Sequence, residues 1–183
     1  MEIAPKSFYH LYNRTNNQEL LFRSDENYIY FLSQFRKRCY SFVDTIAYCL
    51  MPTHFHWLVY VKTEDTDLLK RKIGDWQSGY TKALNKQLSR HGSLFQDHAK
   101  TRAIQNDEDL LTVATYIHQN PVRANLVDKL ENWAWSSYPD YIGLRNGSLP
   151  VKNYLAVYFK TPEEFRMFSE SILQNIDKKY WIG

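Results

Sequence analysis

Three segments of the chain carry strand-like patterns of hydrophobic and polar positions. They are Phe8–Arg14, Val43–Met51 and His54–Val61. Pro52 and Thr53 stand between the second and third segments, so we expect these two strands to form an antiparallel hairpin. A fourth strand is predicted within Ser93–Ile104, with an irregular start around Asp97.

Hydrophobic positions three and four residues apart predict helices between and after these strands. We expect Pro121 to end the third helix at Asn120, because the residue before a proline avoids the helical conformation. Thr161 and Pro162 are typical of a helix start. The predicted helices are residues 25–40, Asp67–Leu88, a segment from Asn106 or Asp107 to Asn120, and a terminal helix from Thr161 to about Lys178.

The order of these elements is strand, helix, strand, strand, helix, strand, helix. This order is that of the split βαβ arrangement of ferredoxin-like domains with an added helix. The predicted fold class is therefore α+β, with an antiparallel sheet, helices on one face and an additional C-terminal helical segment. The chain shows no internal repeat and no low-complexity linker, which favours one compact unit.

Basic residues are concentrated in the middle of the chain. The whole chain has 23 Lys and Arg against 20 Asp and Glu, whereas residues 70–102 contain eight basic and two acidic residues. Clustered cations among aromatic and amide side chains are typical of a surface that binds a nucleic-acid backbone, although a solvated helix face has the same composition. The candidate DNA-binding cations are Arg14, Lys82, Lys86, Lys100, Arg102 and Arg123.

Composition also bears on the compartment. No apolar stretch approaches the ~20 residues of a membrane span, and Met1–Ser7 lacks the apolar core of a signal peptide. Cys39 and Cys49 form neither a CxxC pair nor a disulfide framework, so we expect reduced thiols. These features predict a cytoplasmic protein that has no membrane partner and, if it binds DNA, acts at the nucleoid.

The segment His54-Phe55-His56 lies inside the third predicted strand. Residues i and i+2 of a strand point to the same face, so both imidazoles project together, about 6–7 Å apart at Cβ. This separation lets both histidines ligate one metal ion. Two partly buried histidines with hydrogen-bond partners would give the same sequence pattern.

A second candidate motif lies on the third predicted helix, where Tyr116 and Asn120 are four residues apart and share one face. We expect both to lie largely off the buried face, and His118 to be a surface histidine. Ordinary packing of Tyr116 and a simple helix stop at Asn120 explain this pattern equally well. Tyr80, on the basic helix, is expected to be a packing residue rather than a nucleophile.

Taken in order, these segments resemble the single-tyrosine transposases of the HUH (His-hydrophobic-His) class. The resemblance rests on Cys49–Val59, on Tyr116–Ala124, and on Trp135-Ser136-Ser137-Tyr138, which is similar to a block of the branch associated with repetitive extragenic palindromes. It covers roughly residues 5–145. It implies a transposase-like domain over residues 1–145, and we expect residues 146–183 to be a helical extension packed on the same domain.

The resemblance also implies roles for individual residues. His54 and His56 match the metal-binding histidines of the family, so the resemblance implies that both are metal ligands and catalytic residues. Tyr116 matches the nucleophile. Asn120 matches a third, amide-type metal ligand, a position where related transposases place Gln. The implied cofactor is a divalent metal, Mg²⁺ or Mn²⁺.

The implied activity is a metal-dependent cleavage and transfer of single-stranded DNA beside a hairpin, through a 5′-phosphotyrosine intermediate and a free 3′-hydroxyl. The implied partner is single-stranded or hairpin DNA, and both a homodimer and a monomer are compatible with the sequence. Two other classes stay open: a non-catalytic binding module for single-stranded DNA or RNA on a ferredoxin-like sheet, and a metal-dependent hydrolase of a small substrate.

Overall fold

The computed structural model describes residues 1–171. The terminal helix predicted from Thr161 to about Lys178 is present as Pro162–Ser171. The remainder of that prediction lies outside the described residues.

Four antiparallel strands form one sheet in the order β2-β3-β1-β4. The first three strands have the predicted bounds, and the fourth is shorter than predicted because Ser93–Ala99 contributes only a single bridge, between Thr15 and Phe95. In this irregular segment the Asp97 carbonyl accepts a hydrogen bond from the Asn13 side chain instead of joining the strand ladder. The strands are β1 (Phe8–Arg14), β2 (Val43–Met51), β3 (His54–Val61) and β4 (Lys100–Ala103).

Six α-helices occur in the described part of the chain, three of them with 15 residues or more, together with two short 3₁₀ helices, Asn16–Gln18 and Leu130–Asn132. None of the helices in residues 1–171 is long and apolar enough to cross a membrane. The helices are α1 (Asp25–Cys39), α2 (Thr66–Leu88), α3 (Asp107–Arg123), α4 (Tyr138–Tyr141), α5 (Asn153–Ala156) and α6 (Pro162–Ser171).

Alternate residues of β3 point to opposite faces of the sheet, and both faces are covered. Phe55 and Trp57 face α1 and α2, where Trp57 stacks on Phe35 at 4.1 Å between ring centroids. Leu58 faces the other way and joins the cluster that includes Ile117 of α3. The ferredoxin-like α+β prediction is confirmed, with α1 and α2 of the split βαβ unit on one face and the added helix α3 on the opposite face.

Helix α3 differs from its prediction in length. It continues through Pro121 to Arg123 rather than ending at Asn120. The Asn120 carbonyl accepts the backbone N–H of Ala124, which closes a further turn. Pro121 is buried, and we attribute its tolerance inside the helix to this packing, which offsets the missing N–H donor.

Helix α3 is also buried on more of its circumference than its hydrophobic pattern predicts. Residues after 130 cover its outer side: Nε2 of His118 lies 2.8 Å from Oγ of Ser137, and Nε2 of Gln119 donates to the Ser169 carbonyl at 2.6 Å. His118 is therefore buried, and its prediction as a surface histidine is wrong. Tyr116 and Asn120 are buried as well, contrary to expectation.

An ion pair holds the chain that follows α3. The carboxylate of Asp140 is fully buried and accepts two hydrogen bonds from Arg145, at 3.0 Å from Nε and 2.6 Å from a terminal nitrogen. Arg145 also donates to the carbonyls of Ala134 and Ser136, and the Gly147 N–H donates to Asp140 at 2.7 Å. A Cβ atom at position 147 would lie 2.7 Å from the same carboxylate oxygen, so this contact requires glycine.

We expect Arg145→Met to lower the free energy of unfolding by about 3 kcal/mol, because the buried Asp140 carboxylate would lose its cation. Chemical denaturation of the full chain measures the loss, with Lys160→Met at an exposed position as the control. A loss below ~0.5 kcal/mol, as for a surface ion pair, would contradict the structural role given to this pair.

Candidate active site

His54 and His56 project from β3 toward α3, as the strand period predicts. Their ring centroids are 5.0 Å apart with the ring planes nearly perpendicular. His56 is fully buried in the sheet centre, whereas His54, at the end of the strand, is partly exposed. The two imidazoles therefore share one face of the sheet, and solvent reaches this pair at His54.

Helix α3 brings Tyr116 and Asn120 to the same place. The Tyr116 ring lies 5.5 Å from the His56 ring, centroid to centroid. The Asn120 side chain hydrogen-bonds His54, while its Nδ2 donates to the Tyr116 carbonyl at 2.8 Å. The hydrogen bond to Asn120 raises the pKa of His54, as it does when the imidazole donates, so the amide oxygen is the atom that faces His54. The four residues singled out from the sequence thus lie together, with an amide oxygen facing the histidines.

Burial keeps both histidines neutral. It lowers the pKa of His54 to about 4, with a further decrease from the Arg14 cation and an opposing effect of the Asn120 hydrogen bond. Burial also lowers the pKa of His56 well below its usual range, reinforced by His54 and His10. Near neutral pH both rings are therefore unprotonated, which is the form that ligates a metal ion.

His10 of β1 is a third histidine at this site, and the sequence interpretation missed it. Its Nε2 lies 3.0 Å from Nδ1 of His56, and both rings are buried. Burial lowers the pKa of His10 to about 3, with Arg102 adding to the decrease and Asp109 opposing it. Tyr12 pairs with His56, so His10, two residues earlier, shares their face, and this relation becomes visible once the pairing of β1 with β3 is known.

The donor atoms fit a divalent metal. Nε2 of His56 is buried and has no hydrogen-bond partner within the described residues, whereas Nδ1 of the same ring faces His10. Residues 1–171 contain no group of three or more His, Cys, Asp or Glu side chains that could hold a metal ion. The residues that could hold the ion are His54, His56 and, through its amide oxygen, Asn120.

The candidate DNA-binding cations divide between two sides of the molecule. Arg14 is the cross-strand partner of His54, so the two side chains lie on one face of the sheet. Lys100 and Arg102 are the cross-strand partners of Tyr12 and His10 and lie on that face as well. Arg102 also forms a two-bond ion pair with Asp109. Arg123, at the end of α3, donates to Gln119. Lys82 and Lys86 lie on α2, which covers the opposite face of the sheet.

Tyr80, the other tyrosine considered as a nucleophile, does not belong to this site. It is buried on α2, and its hydroxyl donates to the Leu21 carbonyl at 2.6 Å. Its interpretation as a packing residue is confirmed.

Comparison with known proteins supports the resemblance seen in the sequence. No protein-family model matches the chain. A curated protein of Haemophilus influenzae, described as a REP-associated tyrosine transposase, is 29% identical over 119 residues, which are 59% of this chain and 66% of that protein. The match thus spans slightly less than two thirds of the relative's length.

A solved structure of a REP-associated tyrosine transposase bound to a REP hairpin is similar in fold. Its TM-score is 0.64 at 17% sequence identity, over 78% of this chain and 83% of the other. The predicted resemblance to the tyrosine transposases, and to their REP-associated branch, is confirmed by these two similarities.

We expect His10→Phe to weaken Mn²⁺ binding by about 10- to 100-fold, because the hydrogen bond that orients the His56 ring would be lost. Isothermal titration calorimetry of the metal-free protein with Mn²⁺ measures the dissociation constant of each variant. His91→Phe, at an exposed histidine, should leave the affinity unchanged. Equal affinities of the His10 variant and the unchanged protein would show that His10 does not orient the ligand.

Proposed function

We propose that this protein is a metal-dependent endonuclease and strand-transferase of single-stranded DNA, acting beside a hairpin through a 5′-phosphotyrosine intermediate. The observation that carries the proposal is the position of Tyr116, whose ring lies 5.5 Å from His56 on the sheet face that also carries His54 and receives Asn120. The similarity to REP-associated tyrosine transposases supports the same function.

The metal ligands in this proposal are His54, His56 and Asn120, and the ion is Mg²⁺ or Mn²⁺. When bound, the ion would supply a Lewis acid that polarises the scissile phosphate and neutralises its charge. The two neutral imidazoles and one amide oxygen bring no negative charge of their own. The site therefore leaves the charge of the cation to the phosphate oxygens.

Tyr116 is the proposed nucleophile. Its phenolic oxygen attacks the phosphorus atom, so that a Tyr–O–P bond forms while the P–O3′ bond of the DNA breaks. The phenolic proton is lost, the leaving 3′ oxygen gains a proton, and the 5′ phosphate stays on the protein. The phosphotyrosine is still a phosphodiester, so a 3′-hydroxyl can attack it in the reverse sense and join strands without a nucleotide cofactor.

The proposed substrate is unpaired DNA that flanks a hairpin. A side chain on a rigid helix attacks most readily a strand that can bend to meet it, and an unpaired strand costs least to bend. Arg14 and Lys100 lie on the sheet face that carries His54 and His56, called the active face below, and are proposed phosphate contacts. We assign this activity to residues 1–145, with residues 146–183 as an extension of the same domain.

We expect Tyr116→Phe to abolish cleavage and covalent capture of a hairpin oligonucleotide with a single-stranded flank, because the substitution removes the proposed attacking oxygen. DNA affinity should stay within about twofold, since only one oxygen is removed. Denaturing gels with labelled DNA measure both cleavage and adduct. Tyr30→Phe, at an exposed tyrosine of α1, is the control and should cleave normally.

If Tyr116→Phe still forms the adduct, Tyr116 is not the nucleophile. If the unchanged protein binds the oligonucleotide but never cleaves it with Mg²⁺ or Mn²⁺, the enzymatic proposal gives way to a binding module.

We expect His54→Ala and His56→Ala to abolish cleavage together with Mn²⁺ affinity, because each removes an imidazole ligand. A chelator should reproduce this loss in the unchanged protein, and added Mn²⁺ should reverse it. Asn120→Ala should keep partial activity that higher Mn²⁺ concentrations restore, since a neutral amide oxygen contributes less. Full activity of the histidine variants in the presence of chelator would contradict the metal dependence.

A further inference from the structure

A wide groove lies beside α2, on the side of the sheet away from His56. It has a volume of about 960 Å³ and is bounded by α2 and by the segment Gly92–Ala99. Residues Lys70 and Lys82 are twelve positions apart on α2, which is about 18 Å along a helix axis. The groove is therefore long enough for several nucleotides of one strand.

The charge of the groove is positive. Three cations of α2 line it, namely Lys70, Arg71 and Lys82, against the single acidic residue Asp97. Lys70 pairs with the exposed carboxylate of Asp67 at 3.0 Å, whereas Arg71 and Lys82 form no ion pair among the described residues. Part of the basic excess of residues 70–102 thus lines a concave surface rather than a solvated helix face.

An amide donor at the base of the groove has no acceptor. Gln77 is 6% exposed, and its Nε2 is buried without a hydrogen-bond partner in residues 1–171. Its orientation is set by the backbone through Asn13: Oδ1 of Asn13 accepts the Arg14 N–H, so Nδ2 of Asn13 donates to the Asp97 carbonyl and to Oε1 of Gln77. Nε2 of Gln77 is therefore left over as a donor.

The groove meets the active face at the end of β1. Nε of Arg14, on the His54 side of the sheet, donates to Oε1 of Gln96 at 2.6 Å, and Gln96 lines the groove. The backbone of Gln96 is bonded to the Arg14 carbonyl as well. A strand bound near His54 can therefore continue past Arg14 and Gln96 into the groove without crossing the core.

We propose that this groove binds unpaired nucleotides of the DNA strand that enters the active site, an inference that rests on the function proposed above. Arg71 and Lys82 contact phosphates, and the amide of Gln77 donates to an oxygen or nitrogen acceptor of a base. A duplex keeps its base edges within its own grooves, so only an unpaired base reaches a donor at the floor.

Gly74 offers a test that does not disturb the fold. It lies in α2 and lines the groove, and a Cβ atom built there has no heavy atom within 4 Å. Gly74→Ala adds one methyl group, and Gly74→Trp fills the groove with a ring. Both residues favour a helix more than glycine does, so neither variant should lower the melting temperature.

The probe is a fluorescent single-stranded dT15, measured by anisotropy on the full chain with chelator present, so that no cleavage occurs. We expect Gly74→Trp to weaken binding by roughly tenfold or more and Gly74→Ala by less than about twofold. The double variant Arg71→Ala/Lys82→Ala should reduce the slope of log K against log salt by about 1.4, from two lost phosphate contacts. Lys37→Ala/Lys129→Ala, at exposed cations outside the groove, is the matched control.

Unchanged dT15 affinity of folded Gly74→Trp, or equal salt slopes for the two double variants, would overturn the groove as a strand-binding site. If the unchanged protein still cleaves hairpin DNA in that case, the proposed function stands without the groove. If the Gly74 and Arg71/Lys82 variants lose binding but the unchanged protein never cleaves, the groove stands and the enzymatic proposal fails. The DNA-binding and cleavage measurements therefore distinguish failure of the groove proposal from failure of the proposed function.

Discussion

The pairing of β3 with both of its neighbours is the constraint on which the site depends. Trp57 faces α1 and α2, while His54 and His56 face α3, and both faces are buried. A shift of one residue in register would place the histidines against the aromatic core and the tryptophan against α3. Burial on both faces thus fixes the register, and the register fixes the face on which the histidines lie.

The same constraint explains how much could be predicted from the sequence. The bounds of β1, β2 and β3 were predicted to the residue, because alternation and the Pro52-Thr53 turn are local signals. That His54 and His56 share one face of β3 follows from the two-residue period of a strand. That Tyr116 and Asn120 share one face of α3 follows in the same way from the helical period. That the strand face and the helix face meet follows from neither pattern alone, and the resemblance to a transposase family supplied that expectation.

The errors concern contacts between segments distant in the chain. The irregular start around Asp97 is predicted from the sequence, but its extent over Ser93–Ala99 depends on the contact of Asp97 with Asn13, more than 80 residues earlier. The burial of His118 depends on the covering segment after residue 130, and Asn120 is buried beside His54 of β3. His10 was missed for a related reason: a lone histidine in a strand acquires meaning only once its neighbouring strand is known.

Identification of the residue that becomes linked to DNA shows directly whether Tyr116 is the nucleophile. Trypsin cleavage after Arg102 and Arg123 releases residues 103–123, in which Tyr116 is the only tyrosine. The protein is incubated with Mn²⁺ and a hairpin oligonucleotide, digested with trypsin and nuclease, and analysed by mass spectrometry. We expect a nucleotide adduct on Tyr116 in this peptide. An adduct on residues 73–82, which contain Tyr80, or cleavage of the DNA without any adduct on the protein, would contradict the role proposed for Tyr116.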